Sequence, residues 1–275
     1  MMQKPVVRII LAILVLAIFI GACVLLPIFY DFGFTAGGDD EETTTITVAA
    51  ASDLIPAFEE IGERFNEESG YRVEFTFGSS GLLAQQVEAG APIDVYVSAN
   101  REYPERLRDQ GLLLDDTLQV YATGRIVVWS LDEDLGQIDD LSRLLDPEIR
   151  RVAIGNPDHA PYGVAGREAL QAAGIWDEIQ DRLVLGSNIR ETMQYAETGN
   201  VDVAIVALSL AIASDEGHWT VIPATMHQPI SQTLGIVAES EHLDAAREFV
   251  RFVSSDDGLD SLRSYGFQTP DGAGP

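Results

Sequence analysis

Two segments of this chain each run from a short strand-like pattern into a serine that opens a helical pattern. That repeated junction restricts the fold more than any other feature. The first reads Ile46-Thr-Val-Ala-Ala-Ala-Ser-Asp53, and the second Phe75-Thr-Phe-Gly-Ser-Ser-Gly-Leu-Leu-Ala-Gln-Gln86. Ser52 and Ser80 lie 28 positions apart, the span of one β-α-β unit, so a parallel sheet can hold them on neighbouring strand ends. A helix start carries backbone N–H groups without intrahelical partners and a partial positive charge, so it can hold an anion without a basic side chain. Two such starts facing one another form a neutral cage of donors for a small oxyanion.

The same alternation continues along the chain. Residues 46–50, 73–77, 93–97, 125–129, 152–155, 183–185, 201–207 and 234–238 read as strands. Leu54, Phe58, Ile61 and Phe65 share one helical face, as do Leu243, Ala246, Phe249, Val250 and Val253. Residues 82–88 and 164–173 also read as helices, the latter closed by Gly174. Strands alternating with helices predict an α/β fold with mainly parallel sheets, and near-continuous apolar strands such as 125–129 predict burial on both faces.

The first 38 residues differ from the rest. Lys4 and Arg8 precede residues 9–29, an uncharged apolar run long enough to cross a bilayer core of about 30 Å. Residues 39–45 read as an acidic linker beginning Asp39-Asp-Glu-Glu42. Basic before and acidic after places the remainder outside the membrane. Residues 1–38 are expected to be either an uncleaved signal anchor or a lipoprotein signal, because Ile20-Gly-Ala-Cys23 resembles a lipobox and Cys23 is the sole cysteine. Of the chain's 17 basic and 44 acidic residues, two and one fall in this segment. The outer part therefore holds 15 arginines against 43 carboxylates, with no lysine. Such a surface repels nucleic acid and anionic lipid, and it resembles the surfaces of proteins from high-salt environments. With no cysteine beyond residue 23 there is neither a disulfide framework nor a thiolate metal site.

Further motifs follow the two serine junctions. They are Gly90-Ala-Pro-Ile-Asp94 with Ser98-Ala-Asn100, then Gly155-Asn-Pro-Asp-His-Ala-Pro-Tyr-Gly163 and Gly174-Ile-Trp176. Asn188-Ile-Arg190 and Tyr265-Gly-Phe267 complete the series. Together these resemble the molybdate-binding protein family, the solute-binding component of ATP-driven importers. The resemblance implies a two-lobed fold of the type II periplasmic-binding-protein class with the ligand in the interlobe cleft. Lobe 1 would be residues 43–122 plus 232–275 and lobe 2 residues 123–231, with crossings near 121–125 and 228–233. It implies a tetrahedral oxyanion, molybdate or tungstate, held by hydroxyls and backbone N–H groups, with no cofactor and the metal bound only as its oxyanion. Ser52 and Ser80 match the family's serines, and Tyr162 and Ile189 its backbone donors. The family often has a tyrosine where this chain has Ala207, and the Tyr162 phenol is a candidate to replace it from across the cleft. The implied partners are an ABC permease and its ATPase, with the protein a monomer held by its N-terminal segment at the extracytoplasmic face of the membrane.

Several residues have simpler readings. Ser52 and Ser80 can act as helix caps. A carboxylate facing a dianion would repel it, so Asp53 is expected to offer its backbone N–H and turn its side chain away to cap the helix. Arg190 is expected to order the cleft or pair with an acid. The histidines, His159, His218, His227 and His242, lack metal-ligand spacing. Phosphate would be disfavoured provided the cage offers its proton no acceptor. An enzyme on the same fold lacks a Cys/His pair, a Gly-x-Ser-x-Gly elbow and a lysine-bearing phosphate loop. A tethered sensor or binding module for another oxyanion such as sulfate remains open at this point.

Overall fold

The computed structural model describes residues 43–270. The expected membrane segment 9–29, Cys23 and most of the acidic linker lie outside them. Among the described residues no helix is long and apolar enough to cross a membrane.

The chain begins with β1 (Thr45–Ala51), a 3-10 turn (Ser52–Leu54), α1 (Ile55–Ser69), β2 (Arg72–Gly78), α2 (Ser80–Glu88), β3 (Val95–Ser98) and α3 (Glu102–Asp109). It continues through β4 (Gln119–Gly124), β5 (Ile126–Ser130), β6 (Val152–Gly155), α4 (Pro161–Ala172), α5 (Trp176–Ile179), β7 (Leu183–Gly186) and α6 (Ile189–Glu197). The last part is β8 (Val203–Ala207), α7 (Leu208–Ala213), β9 (His218–Val221), β10 (Ile230–Ile236), α8 (Leu243–Val253) and α9 (Asp256–Ser264).

The strands form two five-stranded sheets, ordered β2-β1-β3-β10-β4 and β7-β6-β8-β5-β9. The chain passes between them twice, once from β4 into β5 across Arg125 and once from β9 to β10. The two crossings lie side by side, because Ile230 pairs with Gly124. The sheets are less parallel than the sequence suggests. β1 with β2 and β3, and β6 with β7 and β8, are parallel. β10 runs antiparallel to both its neighbours, and so does β5. These two strands enter their sheets from the other sheet rather than from a β-α crossover, so they run against the rest. The unbroken apolar pattern of β5 reports burial on both faces, not strand direction.

Side-chain periodicity sets the packing. Leu54, Phe58, Ile61 and Phe65 are fully buried. Phe58, Phe65, Phe75 and Phe249 meet in tilted or edge-on pairs with ring centroids 5.3 to 6.1 Å apart, which fixes α1 and α8 on the first sheet. Leu243 departs from its expected face and stays 39 % exposed, since it opens α8 at the edge of the covered surface. In the second sheet the start of α4 lies almost on the end of β6. A Cβ on Gly163 would overlap the Gly155 carbonyl, which is backbone and cannot give way. Gly163→Ala is therefore expected to destabilise the protein by about 1–3 kcal/mol, read as a lower denaturant midpoint with an unchanged m-value.

Candidate functional site

Both sheets end in the same way. The β1–β2 register closes on Ala51 opposite Gly78, and the β6–β7 register on Gly155 opposite Gly186. Each pair of adjacent parallel ends leads into two helix starts. From the first sheet come the Ser52–Leu54 turn, which continues into α1, and α2. From the second come α4 and α6. Ser52 does not open an α-helix directly, as the sequence pattern suggests, but a 3-10 turn three residues long.

The four starts face one another. Ser52, Asp53, Ser79, Ser80, Tyr162 and Ile189 line one small cavity. Each of these residues is at most 4 % exposed. Asp53 is the sole charged side chain in the lining, which contains no arginine. The turn, α2 and α4 all lack a side-chain hydrogen bond capping their first amides, and Pro161 supplies α4 with a first residue that has no N–H to satisfy.

Polar contacts join the two halves around this cavity. Ser52 Oγ donates to Asn188 Oδ1 at 3.2 Å and accepts from the Arg190 N–H at 3.4 Å. Ser79 Oγ donates to the His159 carbonyl at 2.6 Å, and the Gly81 N–H donates to the same oxygen at 2.9 Å. His159 Nδ1 also lies 2.9 Å from Ser79 Oγ. Ser209 Oγ donates to the Asp53 carbonyl at 2.7 Å. Ser80 Oγ accepts from the Ala99 N–H at 3.0 Å, an arrangement that leaves its own hydroxyl proton free to donate. Arg190 gives its guanidinium to Glu197 at 2.8 Å, so the backbone N–H of this residue, not its charge, serves the site.

Asp53 corrects the sequence reading in one respect. Its carboxyl caps no helix. Oδ2 accepts from Gln232 Nε2 at 2.7 Å on β10, and Oδ1 has no partner. The Tyr162 phenol also faces this carboxyl and lies 3.4 Å from Gln232 Nε2. Burial pushes the Asp53 carboxyl up to about 7, against the opposing pull of the nearby Tyr162 phenol, its own backbone N–H and the Gln232 amide. Burial likewise drives the phenols of Tyr162 and Tyr121 well above their ordinary range. Ala207 closes β8 opposite Ile126 and does not line the cavity.

Sequence reasoning missed Ser79, Asn188, Ser209, Tyr121 and Gln232. Asn188 carried a usable signal, because it stands three residues before Glu191 at a helix start and accepts from the Glu191 N–H at 2.9 Å. Gln232 carried none; a glutamine inside a strand gives no sign of the carboxylate it will meet.

The Asp53 carboxyl has a consequence for stability. An unfolded aspartate titrates near 3.8 and this one near 7, so between these values the folded state holds a proton that the unfolded state has lost. Stability contributed here is complete below pH 4, declines as pH rises to 7 and stays low above it. Asp53→Asn carries no such penalty. Its stability relative to the parent protein should improve by roughly 2–3 kcal/mol between pH 5 and pH 8, at about 1.4 kcal/mol per pH unit up to 7. Denaturant unfolding at the two pH values measures this.

The family described as bacterial extracellular solute-binding protein matches residues 46–268. The molybdate-binding protein ModA of Rhodobacter capsulatus is 31% identical over 224 residues, covering 82% of this chain and 88% of that one. A putative ABC transporter substrate-binding lipoprotein of Bacillus subtilis, YvgL, is 31% identical over 225 residues, 81% of this chain and 85% of the relative. Among solved structures, the Azotobacter vinelandii periplasmic molybdate-binding protein superposes with a TM-score of 0.78 at 29% identity, covering 82% of this chain and all of that one. Over nearly all its described length, then, with its two mixed sheets and their facing helix starts, this chain belongs to the bacterial extracellular solute-binding protein family.

Proposed function

We propose that the protein captures molybdate or tungstate outside the cytoplasmic membrane and delivers it to an ABC permease and its ATPase. The observation that carries this reading is the cavity lined at four helix starts with no cationic side chain. Serine hydroxyls and backbone N–H groups suit a small, fully deprotonated tetrahedron, because hydrogen bonds to a charged acceptor are stronger than neutral ones. The names of the Rhodobacter and Azotobacter relatives support molybdate as the ligand.

In this reading lobe 1 is residues 43–122 plus 232–275 and lobe 2 residues 123–231, although the first sheet reaches past these bounds to Gly124 in β4 and Ile230 in β10. The two adjacent crossings serve as the hinge. Ser52 and Ser80 donate from lobe 1, and the Tyr162 and Ile189 N–H groups from lobe 2. Ala207 leaves the family's tyrosine without a counterpart at that position. The Tyr162 phenol, the candidate to replace it, accepts from Gln232 Nε2 at 3.4 Å and faces Asp53. The protein acts as a monomer without turnover or cofactor, tethered through residues 9–29 or through lipid on Cys23. A tether raises the effective concentration beside the permease.

One observation favours a second reading. Asp53 lines the cavity, and a carboxylate there could accept the proton of hydrogen phosphate. Calorimetric titration of the full-length protein with molybdate, tungstate, sulfate and phosphate in matched high salt separates the two. Molybdate and tungstate should bind at least tenfold more tightly than sulfate and phosphate. Ser52→Ala and Ser80→Ala should each weaken molybdate binding about 10- to 100-fold, the loss of a hydrogen bond to a charged group. Preferential phosphate binding would replace the first reading with the second.

A further inference from the structure

We infer that the site takes up its anion together with one proton, which the carboxyl of Asp53 holds. The inference deepens the oxyanion reading above and rests on it. Asp53 is completely buried and shares the cavity with Ser52 and Ser80. One carboxyl oxygen is held by Gln232, and the other meets no partner among the described residues.

Every element around the carboxyl withholds a counter-charge. From α4 it faces the Tyr162 phenol, from β4 the Tyr121 phenol and from β10 the neutral Gln232 amide. Both phenols are kept in their neutral form by burial. Ser209 on α7 bonds only the Asp53 backbone, and α7 carries no charged residue. On α6, Arg190 is paired with Glu197, and Glu191 accepts from the Ser187 N–H. On α1, Glu59 and Glu60 lie by Tyr265, and the one cation, Arg64, is paired with Asp257 and Glu68. A dianion in the cavity would therefore stand beside a carboxylate that nothing neutralises.

One proton from solvent resolves that conflict. The carboxylate gains an O–H bond, the buffer acid that supplies the proton loses its bond to hydrogen and becomes its conjugate base, and the anion keeps its two charges. The neutral acid becomes a donor, and its unpartnered oxygen Oδ1 can then turn toward the anion as one more hydrogen bond. The Gln232 carbonyl oxygen is also without a partner, so a rotated amide can accept from the acid in the alternative arrangement. Burial already holds the carboxyl near 7, so a further rise of about two units on binding suffices for nearly complete protonation at pH 8.

The test is calorimetric titration of the full-length protein with sodium molybdate in two buffers of different ionisation enthalpy. Near pH 8 the buffer dependence should report an uptake approaching one proton per anion, falling toward zero near pH 6, where the free carboxyl already holds its proton. Affinity should weaken by up to about tenfold per pH unit above 7. In Asp53→Asn the heat should become independent of buffer and the affinity independent of pH. Molybdate binding without proton uptake at pH 8 overturns this inference and leaves the oxyanion reading standing. Uptake that persists in Asp53→Asn overturns the assignment to this residue. Failure of molybdate, tungstate, sulfate and phosphate to bind at any pH overturns both.

Discussion

A backbone N–H at a helix start has no carbonyl of its own turn to bond, and its dipole is fixed by the chain. Here the β1–β2 and β6–β7 pairs end level with one another, so the helices that follow must begin side by side. The sheets thus aim the amides, and the serines at 52, 79 and 80 add hydroxyls without adding charge. The ties between the halves use the same groups, for Ser52 reaches Asn188 and Arg190 while Ser79 and Gly81 reach His159. Lining and closure are one set of interactions.

This explains how a chain with 43 carboxylates beyond residue 38 can offer a place to an anion. Surface charges separated by more than about 8 Å are screened at physiological salt, whereas the amides act at contact distance inside a buried cavity. Attraction is local and repulsion is diffuse. The exception is Asp53, which brings a carboxyl inside the cavity without a cation to match it.

The fold was legible where residue pattern maps directly onto geometry. The α/β alternation, the α1 face of Phe58, Ile61 and Phe65 and the junctions at Ser52 and Ser80 follow from periodicity and from the chemistry of helix starts. Strand direction in β5 and β10 was not legible, because neither the apolar run of β5, buried on both faces, nor the mixed pattern of β10 records it. The side chain of Asp53 was misread for a related reason. Local rules favour an acid at a helix start as a cap, and only the long-range placement of Gln232, 179 residues away, gives it a different partner. Nothing in the sequence marks Ser79 and His159 as partners; the fold sets them 2.9 Å apart.

Gly124 ends β4 at the first crossing, and its bare backbone leaves the space that the Tyr162 hydroxyl occupies; a Cβ there would overlap that oxygen. The tyrosine comes from one half of the molecule and the glycine from the strand that bends toward it. Side-chain bulk at position 124 would act as a doorstop, propping the two halves ajar without replacing any residue that lines the cavity. Resting gape, visible as the radius of gyration in solution, would then be adjustable from a residue outside the cavity lining.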